Sequence, residues 1–314
     1  MISVIVPVKN KAPVLEQAMR SIMAAVQAHP RCELIVMEHG SSDGSVEILQ
    51  RLGIDAVTHP LRGGTIAYAR NVGARMARGN ILAFLDCDVD VPPDYMTRLE
   101  AGFAETGADS LGFPVALPDD PTWVERNWHE LTIDARRGER HFLNSANVSF
   151  TREAFDRVGG FPEELETGED WEISRRLKAG GGRIFADPVL IAKHLDNPKS
   201  IAAFFRKERW YGKGMLGASE RNSLNLTTVA TIAFGFLLLT AGVGAVLRKP
   251  WLVGIPALAI AALVMATYAF RRRSTGHWAP PTVLVLILVF YAARLSGLAA
   301  SLAAPRPPLR SGRS

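Results

Sequence analysis

Asp86 and Asp88, in the run Ile81-Leu-Ala-Phe-Leu-Asp-Cys-Asp-Val-Asp90, place two carboxylates where an apolar segment stops. Side chains alternate faces in an extended backbone, so these two are expected to point one way and Cys87 the other. Such a pair of hard oxygen ligands suits Mg²⁺ or Mn²⁺, ions that take one or two carboxylates and complete their shell with water and substrate phosphates. The same residues also fit a solvated acidic turn, with Pro92 and Pro93 opening the next helix. A second acidic signal is Thr167-Gly-Glu-Asp-Trp-Glu172, ahead of a basic helix closed by Gly180, Gly181 and Gly182. A carboxylate held there, opposite the first pair, could take a proton from an attacking hydroxyl. Thr167 and Asp170 equally fit a capping box, and a helix N-terminus is expected to lower a carboxyl pKa, leaving an ionised but weak base.

Three further segments carry polar groups worth placing. Gly63-Gly64-Thr65 leads into a helix bearing Arg70, which could meet a diphosphate or a ribose, although such turns occur in plain α/β loops. Phe204-Phe-Arg-Lys-Glu-Arg-Trp210-Tyr-Gly-Lys-Gly214 mixes aromatic and basic residues, as an interfacial amphipathic helix does. A substrate role for Arg209 and Trp210 is compatible with that. His194 fits either a metal ligand or a structural histidine.

These residues need elements to hold them. Ile2 to Val8, Cys32 to Met37, Ile54 to Thr58 and Ile81 to Leu85 read as apolar strands, alternating with helices from Pro13, over Ser45 to Leu52 and over Thr65 to Ala77. Strands this apolar are covered on both faces, which predicts a largely parallel α/β sheet. Ligands of such sheets bind beyond the carboxyl ends of the strands. Asn10, the segment from Glu38 to Ser42, and Asp86 to Asp90 all follow strands and should share one rim. From about Pro114 to Gly182 the connections lengthen and carry Trp123, Trp128 and Phe142, which reads as an acceptor-side elaboration.

The chain has 314 residues and a formal net charge of +5. Its basic residues gather beside apolar segments, as groups facing anionic lipid do, so the charge does not mark a nucleic-acid binder. Leu226 to Leu247 and Trp251 to Phe270 each approach the length of about 20 apolar residues that crosses a bilayer. Only Arg248, Lys249 and Pro250 separate them, which predicts a helical hairpin. Thr282 to Ala304 is a third possible span, with Arg294 near its middle, where a charge costs on the order of 3 kcal/mol. Arg206, Lys207, Arg209, Lys213 and Arg221 before the first span, and Arg271 to Arg273 after the second, favour a cytoplasmic start; Arg306, Arg310 and Arg313 blur that count. Met1 runs directly into the first strand without a signal-peptide pattern, and Cys32 and Cys87 read as buried free thiols.

Taken in order, VIVPVKN, SSDGS, ARNVG, FLDCDVDVPPDY, NSANVSF, GGFPEELETGEDWEISRRL and RKERW resemble a family 2 glycosyltransferase of the GT-A fold, from Ile2 to about Gly214. The resemblance implies a Rossmann-like, mostly parallel catalytic domain over residues 1–217, with a nucleotide-sugar half at 1–115 and an acceptor half with a juxtamembrane helix at 116–217. Residues 218–314 would form a membrane region of two or three helices with a short basic tail. Asp86 and Asp88 would be the paired acids that hold ribose and the metal-bound diphosphate, with His194 as a further metal ligand and Asp170 as the general base. Glu169 is read as a neighbour that orients the site. Pro7, Val8, Asn10, Glu38, His39 and Arg70 would line the donor site, and Arg209 and Trp210 resemble a basic-aromatic motif near acceptor and diphosphate. Members often carry a second Asp where this chain has His39, and a neutral imidazole does not fully imitate a carboxylate.

The implied activity is metal-dependent, inverting transfer from a UDP- or GDP-sugar to a lipid-linked or membrane-proximal hydroxyl, with membrane lipids as further partners. The inner membrane, with the catalytic domain facing the cytoplasm, is the implied location. A nucleotide-sugar binder or scaffold without catalysis, and a transporter, are the other classes weighed.

Overall fold

The computed structural model describes residues 1–58, 64–216, 226–275 and 280–303. Gly63, Arg221, Ala304, Arg306, Arg310 and Arg313 lie outside the described residues. The chain divides into two compact units, one built on Met1–Asn197 and one on Pro198–Arg273 with the helix that follows.

The first unit opens with β1 (Ile2–Val8), α1 (Ala12–Gln27), β2 (Cys32–Glu38), α2 (Ser45–Arg51), β3 (Val57–Thr58), α3 (Ile66–Met76) and β4 (Ile81–Leu85). It continues with β5 (Val89–Asp90), α4 (Tyr95–Thr106), β6 (Ser110–Gly112), α5 (Trp123–Thr132), β7 (Gly138–Arg140), β8 (Asn147–Thr151), α6 (Arg152–Arg157), α7 (Glu169–Ala179), β9 (Ile184–Ala186) and β10 (Lys193–His194). Eight strands form one sheet in the order β3-β2-β1-β4-β8-β6-β9-β7, and β5 pairs with β10. β3, β2, β1 and β4 are mutually parallel, as alternating strands and helices require. Beyond β4 the sheet becomes mixed, because β8 runs antiparallel to both β4 and β6.

Every residue of β1 and β4 is buried, so these central strands are covered on both faces. α1 has Pro13 in its first turn, where no helical N–H is lost, and buries Leu15, Ala18, Met19 and Ile22 at helical spacing. Leu15, Met19 and Ile22 each contribute about 1.5–3 kcal/mol of burial. α3 approaches β1 so closely that a Cβ on Gly73 would stand 2.5 Å from Ile5. Asn71, two residues earlier, exchanges two hydrogen bonds with the Phe161 main chain, at 2.8 and 2.9 Å. Gly160 in between adopts φ +71°, and any Cβ there would meet the Asn71 amide. ARNVG and GGF are therefore two halves of one joint. Phe161 then packs edge-on to Phe84 at 5.1 Å and 6.1 Å from Phe150. At the other end of α3, the Arg152 guanidinium donates to the carbonyls of Ala74, Ala77 and Gly79, which the helix end leaves open.

The second unit holds α8 (Ile201–Lys213), α9 (Leu226–Val246), α10 (Pro250–Thr275) and α11 (Val283–Ala303). Among the described residues, three helices, α9, α10 and α11, are long and apolar enough to cross a membrane. A tight turn with Arg248 at φ 55° joins α9 to α10 as expected. Both pack on α11: Phe234 stacks on Tyr291 at 5.4 Å, and Thr267 shares a 2.6 Å hydrogen bond with the same tyrosine. The charge inside the third span is matched within the unit, since Arg294 Nε donates to Glu208 of α8 at 2.8 Å. α8 and α11 touch backbone to backbone at Gly212 and Gly297, where a Cβ on Gly212 would come within 2.5 Å of the Arg294 carbonyl.

Candidate active site

Three loops at the carboxyl ends of β1, β2 and β4 build the rim. After Val8 the chain bends through Asn10, whose φ of 52° is one that asparagine tolerates better than most residues. Its side chain accepts from Ser42 N at 2.8 Å while its N–H donates to Ser41 Oγ, tying the first loop to the second. Pro7 and Val8 belong to the buried end of β1. Glu38 turns inward and accepts the Ser41 N–H at 2.6 Å, so its carboxylate braces its own loop. His39 follows, 8% exposed, with its backbone N–H on the Val8 carbonyl and Nδ1 without a hydrogen-bond partner. Burial first, and Lys9 second, push the imidazole below its ordinary pKa, so the ring is neutral near pH 7.

Asp86 and Asp88 do not owe their placement to strand alternation. β4 ends at Leu85, and the Val89 N–H returns to the Asp86 carbonyl, so residues 86–89 form a turn that delivers the two carboxylates to different cations. Asp86 Oδ1 accepts Arg70 Nη2 at 2.6 Å, and Arg70 Nη1 reaches Glu169 at 2.8 Å. Arg70 is 1% exposed and lies 5.4 Å from the Phe161 ring centre. The guanidinium thus meets Asp86 and Glu169 rather than solvent. Asp88 Oδ2 accepts Lys11 Nζ at 2.6 Å, and the same ammonium holds Asp196 at 2.6 Å. Burial opposes the charge on Lys11, but Asp88 and Asp196 outweigh it and raise its pKa. The β5–β10 pairing, with Leu195 N on the Asp88 carbonyl at 2.8 Å, brings His194 Nε2 to 3.6 Å from Asp88 Oδ1.

The helix α7 begins differently from the expected capping box. Gly168, left-handed at φ 82°, is the N-cap and no side chain caps it; Thr167 is buried instead. Glu169 accepts from Ser145 Oγ at 3.1 Å as well as from Arg70. Asp170 accepts the N–H groups of Trp171 at 2.8 Å and Ser145 at 3.4 Å. The expected lowering of its pKa is overturned. Although Asp170 keeps part of its surface open, burial first and the Glu169 charge second push it up to about 7, against those N–H donors and Arg70. A carboxyl poised there can act as a base near neutral pH.

Reading the sequence did not single out Lys11, Asp196 or Ser145 for these contacts. Asp196 stands two residues from His194, the same alternation that drew attention to Asp86 and Asp88, while nothing local marks Lys11. Arg209 and Trp210 are exposed on α8 in the second unit. Cys87 is buried, and its thiol is pushed up first by burial and then by Asp88; Cys32 is free but only half-buried.

Among the described residues no three His, Cys, Asp or Glu side chains converge as a ready-made metal cage. Asp88 with His194 nevertheless offers the carboxylate and imidazole that suit Mn²⁺ or Mg²⁺, to be completed by substrate oxygens. The donor set fits such an ion.

Comparison with known proteins bears on the family and the fold. The chain is 26% identical over 246 residues to the glycosyltransferase AglE of Haloferax volcanii, covering 75% of this chain and 80% of that one. It is 25% identical over 259 residues to the succinoglycan biosynthesis protein ExoA of Rhizobium meliloti, covering 75% and 77%. The mannosyltransferase PcManGT from Pyrobaculum calidifontis, solved with GDP-Man and Mn²⁺, superposes with a TM-score of 0.61 at 18% identity, covering 96% of this chain and 87% of that one. That likeness establishes the GT-A fold. The family model for glycosyl transferase family 2 matches residues 3–159, half of the chain, and with the rim and sheet described above it shows that this chain belongs to glycosyl transferase family 2.

Proposed function

We propose that this family 2 member is a membrane-anchored, inverting, metal-dependent glycosyltransferase. It moves one sugar from a UDP- or GDP-sugar to a hydroxyl of a lipid-linked or membrane-proximal acceptor. The observation that carries this reading is Asp170, half-covered beside Glu169, Arg70 and Asp86, with its carboxyl pushed up to about 7. In this reading Asp170 accepts the proton of the attacking hydroxyl. One displacement from the face opposite the leaving diphosphate inverts the anomeric carbon. Glu169, fixed by Arg70 and Ser145, positions the start of α7 and keeps Asp170 basic through its own charge. Asp88 and His194 would hold Mg²⁺ or Mn²⁺, which supplies positive charge to the departing diphosphate. His39, buried and neutral at the end of β2, would face the nucleotide base with Nδ1. The apolar helices, and the basic residues that flank them, support anchoring in the inner membrane with the catalytic unit on the cytoplasmic side.

The test is a panel of UDP- and GDP-sugars incubated with membranes and Mn²⁺, scored for donor consumption and for sugar in extractable lipid. Asp170→Asn is expected to cut transfer roughly 10²- to 10⁴-fold while donor binding persists. Unchanged transfer by that variant removes Asp170 from the mechanism. A wild-type protein that binds a donor but consumes none of the panel supports the scaffold alternative instead.

A further inference from the structure

The seat at Asp88 already contains a cation. Asp88 is 3% exposed, and Lys11 Nζ lies 2.6 Å from its Oδ2. Asp196 accepts the same ammonium at 2.6 Å, with its own side chain 50% exposed. The two attachments therefore differ: one end of this three-membered cluster is buried, the other opens to solvent. The Lys11 main chain is fixed, its N–H on Ser45 Oγ at 3.0 Å and its carbonyl accepting from Val14 and Leu15 at the start of α1. Only the flexible four-carbon stem is free to swing, and a lysine ammonium is a compact point charge rather than a planar fork.

Asp88 presents two oxygens: Oδ2 accepts the Lys11 ammonium that Asp196 also holds, and Oδ1 faces His194 Nε2 at 3.6 Å. A dication held between Asp88 Oδ1 and His194 would share one carboxylate with the ammonium on Oδ2, and two positive charges at so short a separation repel each other.

We propose that Lys11 is the resident counter-ion of the Asp88 seat, and that a divalent cation enters only as the ammonium withdraws from Asp88 onto Asp196. This rests on the reading that Asp88 and His194 form the metal seat. Lys11 then sets metal affinity by exchange, and Asp196 keeps the displaced charge from being stranded. A cation that arrives with a nucleotide diphosphate also brings anionic oxygens for the freed ammonium to meet. Metal and donor therefore load together more readily than metal alone, and by linkage each strengthens the other.

The experiment is titration of the full chain in detergent with Mn²⁺ alone, without nucleotide, reading free Mn²⁺ by electron paramagnetic resonance. Lys11→Gln is expected to bind Mn²⁺ at least roughly tenfold more tightly than wild type. Lys11→Met, which keeps the stem without the charge, replaces it if the first variant misfolds. Lys9→Gln, an exposed lysine two residues away, makes the same change in net charge and is expected to leave affinity within about twofold. Adding UDP or GDP should tighten Mn²⁺ binding more in wild type than in Lys11→Gln. Equal affinities for wild type and Lys11→Gln overturn the proposal, as does an equal gain from Lys9→Gln, which would reveal only a bulk charge effect. If neither wild type nor Lys11→Gln takes up Mn²⁺, the proposal falls together with the metal seat, while the role of Asp170 is still decided by its own variant.

Discussion

Asp86 and Asp88 leave one turn, yet each is paired with a cation of a different kind. Arg70, 1% exposed, joins Asp86 to Glu169 through a planar fork and packs on Phe161. Lys11, with 29% of its side chain exposed, joins Asp88 to Asp196 through a single atom. A buried fork between two carboxylates cannot leave without stranding both, whereas an ammonium with a solvent-facing partner can. In the proposed reading the Arg70 side is the rigid one, holding Asp170 in place, and the Lys11 side is the one that exchanges.

The largest expected difference follows from deleting the fork. Arg70→Ala should destabilise the first unit by about 3–5 kcal/mol in thermal or denaturant unfolding, because it takes from Asp86 and Glu169 the cation they share. A loss near zero would erase the distinction. The pair Glu208–Arg294 in the second unit extends the comparison, since it too is largely shielded. Arg294→Leu should cost about 3 kcal/mol in detergent, and adding Glu208→Leu should recover most of it, because the uncompensated charge is then removed. A double variant no better than the single would mean that packing, not charge, is lost. The rate of transfer should fall roughly tenfold per pH unit below about 7, as Asp170 takes up the proton that its working form must lack. Glu169→Gln removes the like charge that raises it, so this acid limb should move to lower pH in a kcat profile. An unmoved limb would detach Glu169 from the base. The smallest effect belongs to Asp196→Asn, at most about 1 kcal/mol of stability, since its pair with Lys11 is half exposed on the Asp196 side.

The parallel half of the sheet was legible because apolar strands and amphipathic helices alternate from Ile2 to Leu85, and the ends of those strands could be aligned on one rim without knowing any contact. The ordered motifs then marked Asp86, Asp88, Asp170 and His194. What stayed hidden were pairings across the chain: Lys11 to Asp196 spans 185 positions and Arg70 to Glu169 spans 99. Local patterns do not encode such distances. Helix starts misled for a related reason. Thr167-Gly-Glu-Asp170 has the spacing of a capping box, but Gly168 takes the cap in a left-handed conformation and Asp170 turns to Ser145. A true box forms at Thr122 and Glu125, where both reciprocal hydrogen bonds are made. The pKa of Asp170 was misjudged because the helix end was weighed without the neighbouring Glu169 and the protein around it.

The meeting of Gly212 with Gly297 leaves no gap in which α8 and α11 can slide, since any side chain on either glycine would strike the other helix's backbone. The two helices consequently travel as one piece. In the proposed membrane-anchored state, the depth that the acyl chains impose on α11 would be passed to Arg209 and Trp210, making their height a property of bilayer thickness as well as of the chain. Reconstitution in lipids of graded acyl length, with Trp210 fluorescence quenched from known depths, would read that height directly.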